Sequence, residues 1–190
     1  MAIIQGNDPY TQASFSLRNR LARGLWDVVW LLLFRPSPRP LHAWRSLLLR
    51  LFGADVGRGC HVYPSVKIWA PWNLVLGNRV GIADGVTLYS MDKIKIGDCA
   101  VISQGAHLCG GTHDYNSANF QLVAKPITVG AQAWICAEAF LHAGVMVPEG
   151  AVVGARSVVI GTLPNAWMVY SGNPCQEVGK RRQIALGSQQ

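Results

Sequence analysis

Residues 56–108 read VGRGCHVYPSVKIWAPWNLVLGNRVGIADGVTLYSMDKIKIGDCAVISQGAHL, and an aliphatic side chain returns in steps of six. The anchors fall in sets of three: Val56, Val62, Ile68; Leu76, Ile82, Leu88; Ile96, Ile102, Leu108. Two further sets follow, Val129, Ile135, Leu141 and Val147, Val153, Val159. A helix repeats at about 3.6 residues and a half-buried strand at about 2, so neither accounts for strict sixes. A short fixed period is the mark of a solenoid, in which each repeat buries its apolar side on its neighbours. The junctions between sets carry two extra residues after Ile68 and after Leu88, fifteen after Leu108 and none after Leu141. Every insertion therefore follows a third hexad, so a three-sided coil sends all its extra chain out by one corner.

Four residues after each anchor stands a second, usually small position: Cys60, Val66, Val80, Val86, Ala100 and Ala106, then Thr112, Ala133, Ala139, Val145, Ala151 and Ser157. A narrow prism has room only for such groups at its turns. Glycine follows the anchor at 57, 77, 97, 130 and 154, which suggests turns in need of permissive backbone.

This pattern resembles the hexapeptide-repeat acyltransferases over residues 53–180. The resemblance implies an all-β solenoid, a left-handed parallel β-helix of about five coils. An N-terminal two-helix segment precedes it and one long excursion loop leaves it. The corresponding division is 1–53 for tail and helices, 54–180 for the β-helix with its loop at 109–128, and 181–190 for a basic and polar tail.

The chain carries a formal charge of +7. Residues 1–55 hold seven Lys/Arg against three Asp/Glu, so the front end is the more basic for its length. No basic run interleaved with aromatics points to nucleic acid; a membrane surface or an anionic cofactor fits better. The cysteines at 60, 99, 109, 136 and 175 have no paired spacing and read as reduced structural thiols. Residues 1–15 lack the charged start and apolar run of a secretory signal.

Residues 1–13 read as polar and loosely held. Ser14 or Ser16 then caps a helix to about Phe34, with Leu17, Leu21, Leu25, Val28 and Leu32 on one stripe. Its apolar run is too short for a bilayer, which needs about 20 residues. The prolines of 36–40 break it. A second helix over about Pro40–Phe52 carries Leu41, Trp44, Leu48 and Leu51 on one face, with Gly53 at its stop. Two roles stay open for residues 16–52: a cap on the first coil, and peripheral contact with a membrane.

The excursion begins Gly110-Gly111-Thr112-His113-Asp114-Tyr115, and a loop this long in a compact repeat is functional as a rule. His113 stands where the chain leaves the coil, so its ring is available at the surface. The other histidines, at 42, 61, 107 and 142, lie in a helix or at repeat turns and read as structural. Maltose and galactoside acetyltransferases carry their catalytic histidine in the matching loop, and the repeat phase aligns it with His113. The resemblance thus implies direct acetyl transfer from acetyl-CoA as co-substrate, with a neutral imidazole as general base, and no metal. Asp114 reads as an acceptor-site or loop-structural residue, with Tyr115 beside it. A Cys109–His113 acyl-enzyme is the covalent alternative.

By the same resemblance, coenzyme A lies between subunits of a homotrimer. Trp134 matches an aromatic near the active centre, and Ala137 and Ala155 match small positions along the pantetheine arm. Where relatives often read Thr-Lys-Asp after the last coil, this chain has Ile160-Gly161-Thr162. Lys180, Arg181 and Arg182 are the candidates to replace the missing cation at the 3′-phosphate, the alternative being a solvated basic tail.

On the acceptor side, positions that hold Asn and Asp in maltose-type enzymes read Ala83 and Met91, with Asp84 and Asp92 one residue away. A simple-sugar pocket is therefore not expected. Leu-Leu-Leu-Phe-Arg-Pro-Ser-Pro-Arg-Pro at 31–40, Gly-Thr-His-Asp-Tyr at 111–115 and Gly-Ala-Arg-Ser-Val-Val at 154–159 are similar to the colanic acid biosynthesis acetyltransferases. That likeness implies a sugar or lipid-linked sugar acceptor in exopolysaccharide assembly. It implies a cytoplasmic enzyme, at the inner face of the membrane if the helices touch it. The competing readings are a serine or other small-molecule O-acetyltransferase of the same fold, a zinc carbonic-anhydrase-like protein using His107 and His113, and a silent scaffold.

Overall fold

A computed structural model describes residues 3–4, 6–7 and 10–183. The calls on residues 1–13 and 181–190 thus lie partly outside the described residues. From Asp55 the chain winds as a left-handed parallel β-helix with three walls. The first wall stacks Asp55–Val56, Leu74–Leu76, Ile94–Ile96, Ile127–Val129 and Met146–Val147. The second stacks His61–Val62, Gly81–Ile82, Val101–Ile102, Trp134–Ile135 and Val152–Val153, and the third Lys67–Ile68, Thr87–Tyr89, His107–Cys109, Phe140–Leu141 and Val158–Val159. A sixth turn begins with Met168–Gly172 on the second wall, closed by the antiparallel strand Cys175–Lys180.

The anchors build this stack because each one lies directly on the anchor of the next coil, as in Val56↔Leu76↔Ile96↔Val129↔Val147. All of them are buried, as are the small positions from Cys60 to Ser157 with one exception. Thr112 has already left the prism for an antiparallel hairpin and is only half-buried.

The glycines after the anchors act differently from the expectation. Gly57, Gly77, Gly97 and Gly130 do not sit at positive φ. They sit where two coils touch: a Cβ on Gly97 would stand 2.5 Å from the Ala131 nitrogen, and one on Gly130 would stand 2.5 Å from that of Glu149. The left-handed turn conformation falls instead three residues after an anchor. There it is taken by Gly59, Gly85, Gly105, Gly144 and Gly150, but also by Arg79, Cys99, Gln132, Glu138 and Arg156. Gly97→Ala is expected to cost about 2–3 kcal/mol in denaturant unfolding, since backbone rather than a movable side chain would have to yield.

Helix α1 (Leu17–Val29) is capped by the Ser16 hydroxyl, which accepts from Asn19 N, and continues as a π-helical turn through Phe34. Helix α2 (His42–Leu51) ends at Gly53, whose φ of 85° suits its C-terminal stop. Both cover the open end of the first coil, where three edge strands present carbonyls with no coil beyond them. Side-chain donors meet each one. Arg50 Nε and Nη2 donate to Val56 O on the first wall at 3.0 and 2.8 Å. Arg45 Nε donates to Val62 O on the second at 2.6 Å. Trp26 and Trp30 Nε1 donate to Ile68 O and Val66 O at the third, at 2.7 and 2.8 Å.

Arg45 is fully buried, and its remaining N–H groups reach Ser37 Oγ, Pro38 O, Arg39 O and His42 Nδ1. A guanidinium has five such donors, and each has a partner. Arg45→Ala is expected to lower stability by about 3–5 kcal/mol because several buried carbonyls lose their donor together. Arg45→Lys should recover little of it, since an ammonium cannot present the same fork. Urea unfolding of both variants checks this.

The expected leucine stripe on α1 exists but faces outward. Leu17, Leu21, Leu25, Val28 and Leu32 are exposed, whereas Asn19, Arg23, Trp26 and Trp30 face the protein. On α2 only Leu48 of the expected face is buried; Leu41, Trp44 and Leu51 are exposed. A coil end made of carbonyls selects the donor-bearing side of a helix, and this ordering explains both.

The described part of the N-terminal segment is also engaged. Gly6 N donates to Gln121 Oε1 at 3.0 Å, Asn119 Nδ2 donates to Asn7 O at 3.2 Å, and Ile4 N reaches Ser14 O at 3.0 Å.

Candidate active site

After Leu108 the chain leaves the corner between the third and first walls as a hairpin, Gly111–His113 against Leu122–Ala124. Its root is tied to the preceding coil: Gly110 N donates to Tyr89 O at 3.0 Å and Lys125 N to Gly110 O at 3.1 Å. A Cβ on Gly110 would stand 2.8 Å from Tyr89 O, so the close approach requires glycine here. Met91, Phe15 and Leu122 form a small buried cluster beneath the hairpin. Met91 therefore serves as packing.

His113 closes the first strand of the hairpin. Its Nδ1 lies 2.9 Å from the carbonyl oxygen of Phe120. A carbonyl only accepts, so Nδ1 carries a proton, and in the neutral ring the lone pair is then on Nε2. The Phe120 ring stacks on the imidazole at 4.3 Å and 13°. A φ of 47° at Phe120 lets one residue turn both its carbonyl and its ring to the same histidine. Tyr10 stacks on the far side of the pair, 6.4 Å from the Phe120 ring. Sequence reasoning missed Phe120, because it acts through a backbone carbonyl that any residue type carries.

The neighbouring candidates are placed as follows. Asp114 accepts from Asn116 N at 3.0 Å and shapes the hairpin tip, making no contact with the imidazole. Tyr115 is 80% exposed at that tip. Asp92 lies on the same corner one coil earlier and accepts from Lys93 N at 2.7 Å. Asp84 lies on another corner, between the second and third walls. Its oxygens accept from Arg39 at 2.7 Å and from Ser65 Oγ at 2.7 Å, which ties the proline turn to the coil. The structure does not bring Asp84 to His113.

Cys109 Sγ donates to Gly111 O at 3.3 Å rather than to His113. Burial pushes the thiols of Cys60, Cys136 and Cys175 up from their ordinary value, which suits inert packing. His107 packs edge-on to Phe140 at 5.2 Å and Tyr89 at 6.5 Å, and burial holds its pKa down. This aromatic column on the third wall continues through Trp69 to a cavity of about 320 Å³, lined by Trp30, Trp69, Tyr89, Asp27 and Lys67. Tyr89 borders both the cavity and the root of the His113 hairpin.

The residues matched to coenzyme A occupy the second wall and its far corner. Trp134 is 46% exposed, and its Nε1 donates to Ser103 Oγ at 2.8 Å. Ala137 and Ala155 stack on one corner, joined through Arg156 N to Ala137 O at 2.9 Å. Arg181 is engaged, with Nη1 donating to Gln132 O and Gly150 O at 2.7 and 3.0 Å, while Lys180 and Arg182 are exposed. A triangular prism fixes the outcome: the corner that carries His113 lies opposite the wall that carries Trp134. Within one chain the two groups face away from each other.

No model of a known protein family matches the chain. It is 43% identical over 163 residues to an Escherichia coli (strain K12) protein described as a candidate colanic acid biosynthesis acetyltransferase, WcaF, covering 86% of this chain and 89% of that protein. It is 26% identical over 144 residues to the galactoside O-acetyltransferase of the same organism, covering 74% and 70% of the two chains. Among solved structures, the hexapeptide-repeat acetyltransferase of Vibrio cholerae complexed with acetyl coenzyme A superposes with a TM-score of 0.81 at 20% identity, covering 95% and 97%.

Proposed function

The chain belongs to the hexapeptide-repeat acetyltransferase family, and we propose that it moves the acetyl group of acetyl-CoA onto a sugar hydroxyl in exopolysaccharide assembly, with His113 as general base. The observation that carries the choice of base is the bond from Nδ1 to the Phe120 carbonyl, which leaves Nε2 as the free acceptor. Nε2 takes the proton of the acceptor hydroxyl as its oxygen attacks the thioester carbonyl carbon. The tetrahedral adduct then collapses, the carbon–sulfur bond breaks, and the leaving thiolate recovers the proton from the imidazolium.

The donor groove is assigned to Trp134, Ala137 and Ala155, with Lys180 and Arg182 available for phosphate, while Arg181 bonds backbone oxygens. Because that wall faces away from the chain's own His113, the working unit is a homotrimer in which one copy's hairpin meets a neighbour's second wall. The acceptor side draws on Asp92, Asp114 and Tyr115 around the hairpin. The aromatic cavity at Tyr89 offers the flat apolar faces that sugar rings stack on. Asp84, held by Arg39 and Ser65 on another corner, is not assigned to this side. On this reading the enzyme works in the cytoplasm, with acetyl-CoA as its co-substrate.

The test is coenzyme A release from acetyl-CoA against a panel of free, nucleotide-linked and lipid-linked sugars. Release that needs one of these sugars supports the reading. Release with serine and with no sugar would replace it.

A further inference from the structure

Helix α1 presents its polar donors to the coil and its leucines to the outside, the reverse of an ordinary surface helix, while α2 buries Leu48 and Leu49 beside Arg45 and leaves its other leucines outside. On α1, Leu21 and Leu25 are 65% and 61% exposed, and Leu17, Val28 and Leu32 extend the same stripe. Helix α2 adds Leu41, Leu47 and Leu51, also exposed. Exposed apolar stripes of this kind mark a contact with something other than water.

The charge around it says what that contact is. Between Leu17 and Phe52 there are seven arginines, no lysine, and a single acidic residue, Asp27. Arg18, Arg20 and Arg35 stand exposed beside the stripe. Trp44 lies at its margin, its ring partly exposed and its Nε1 bonded to Leu33 O at 3.0 Å. A second protein chain of the same kind would bring arginine-rich helices together with only Asp27 to compensate. A negatively charged lipid surface satisfies both the leucines and the arginines. No described helix is long and apolar enough to cross a membrane, so the helices lie in the interface rather than through it.

We propose that residues 17–51 dock the protein on an anionic phospholipid bilayer, with α1 and α2 parallel to its surface. The docking stands on one chain; its strength rests on the homotrimer proposed above. Threefold closure about an axis along the coils sets three such patches on one side, so weak single contacts combine. The reaction centre then works beside the bilayer, where a lipid-linked sugar carries its hydroxyl.

The experiment is co-sedimentation of the full-length protein with vesicles of phosphatidylcholine alone and of phosphatidylcholine mixed with phosphatidylglycerol. Leu21→Glu/Leu25→Glu and Arg18→Gln/Arg20→Gln are run alongside, with mass in solution and acetyl transfer to a soluble acceptor measured on the same samples. Expected is binding to the anionic vesicles, at least about tenfold weaker for neutral vesicles and for either double variant, and weakened by salt. Mass and soluble transfer should be unchanged in both variants. Failure to bind anionic vesicles, or equal binding by Leu21→Glu/Leu25→Glu, overturns the proposal. A fall in mass in that variant also overturns it, and assigns the stripe to contact between copies. Loss of transfer by the wild-type protein would instead strike at the enzymatic reading and leave the binding result intact.

Discussion

His113→Ala is expected to lower kcat for acetyl transfer by about 10³-fold, with KM for acetyl-CoA changed by less than about threefold. An alcohol is a poor nucleophile until its proton is taken, and the neighbouring described groups are already engaged. Asp114 is spent on Asn116 N, and the Cys109 thiol points to Gly111 O. Removing the imidazole leaves proximity and groove binding intact, which is why kcat rather than KM carries the loss. His113→Gln separates shape from basicity: its amide can still donate to Phe120 O, yet it should be about as slow as alanine. Steady-state kinetics with a responsive sugar checks both. A loss of less than about tenfold in either variant would remove His113 from the chemistry.

The second large effect is a recovery. His113→Ala and Ala155→Trp are each expected to be inactive, the first without its base and the second with its groove filled. Ala155 is exposed on its corner, so the larger ring need not disturb the stack. When the two variants are co-expressed and purified together through separate tags, activity should return. In a threefold assembly that carries both tags, about a third of the sites join an intact hairpin to an intact groove. That is about two orders of magnitude above either parent, if each parent is at background. Activity no higher than the parents would mean that base and groove are supplied by the same chain, against the opposed placement of His113 and Trp134 on the prism.

The prism itself was legible because a solenoid repeats one packing problem. Val56, Leu76, Ile96, Val129 and Val147 solve it with the same kind of side chain at the same phase, and the phase alone identifies the corner that expands. The glycines were legible as special but not for the right reason. Sequence cannot distinguish a glycine needed for φ from one needed for contact, and Arg79 and Cys99 adopt the left-handed turn without being glycine. The helices were found nearly to their ends, yet their orientation was hidden. An amphipathic stripe reports which residues share a face, and what lies opposite decides which face turns inward. Here that was a ring of carbonyls calling for Trp26, Trp30, Arg45 and Arg50. Phe120 was out of reach for a related reason: its carbonyl and its unusual φ leave no signature in side-chain identity.

One feature of the stack bears on how such proteins diversify. Ile94, Lys95 and Ile96 align with Ile127, Thr128 and Val129 as directly as any other pair of coils, although the whole excursion separates them in sequence. The hairpin is therefore a cassette, plugged into a frame that does not register its length. Under the proposed division of the site, grafting a relative's loop between Cys109 and Ile127 should retune which alcohol is accepted and leave the proposed donor wall alone, so that the two halves of specificity can be inherited separately.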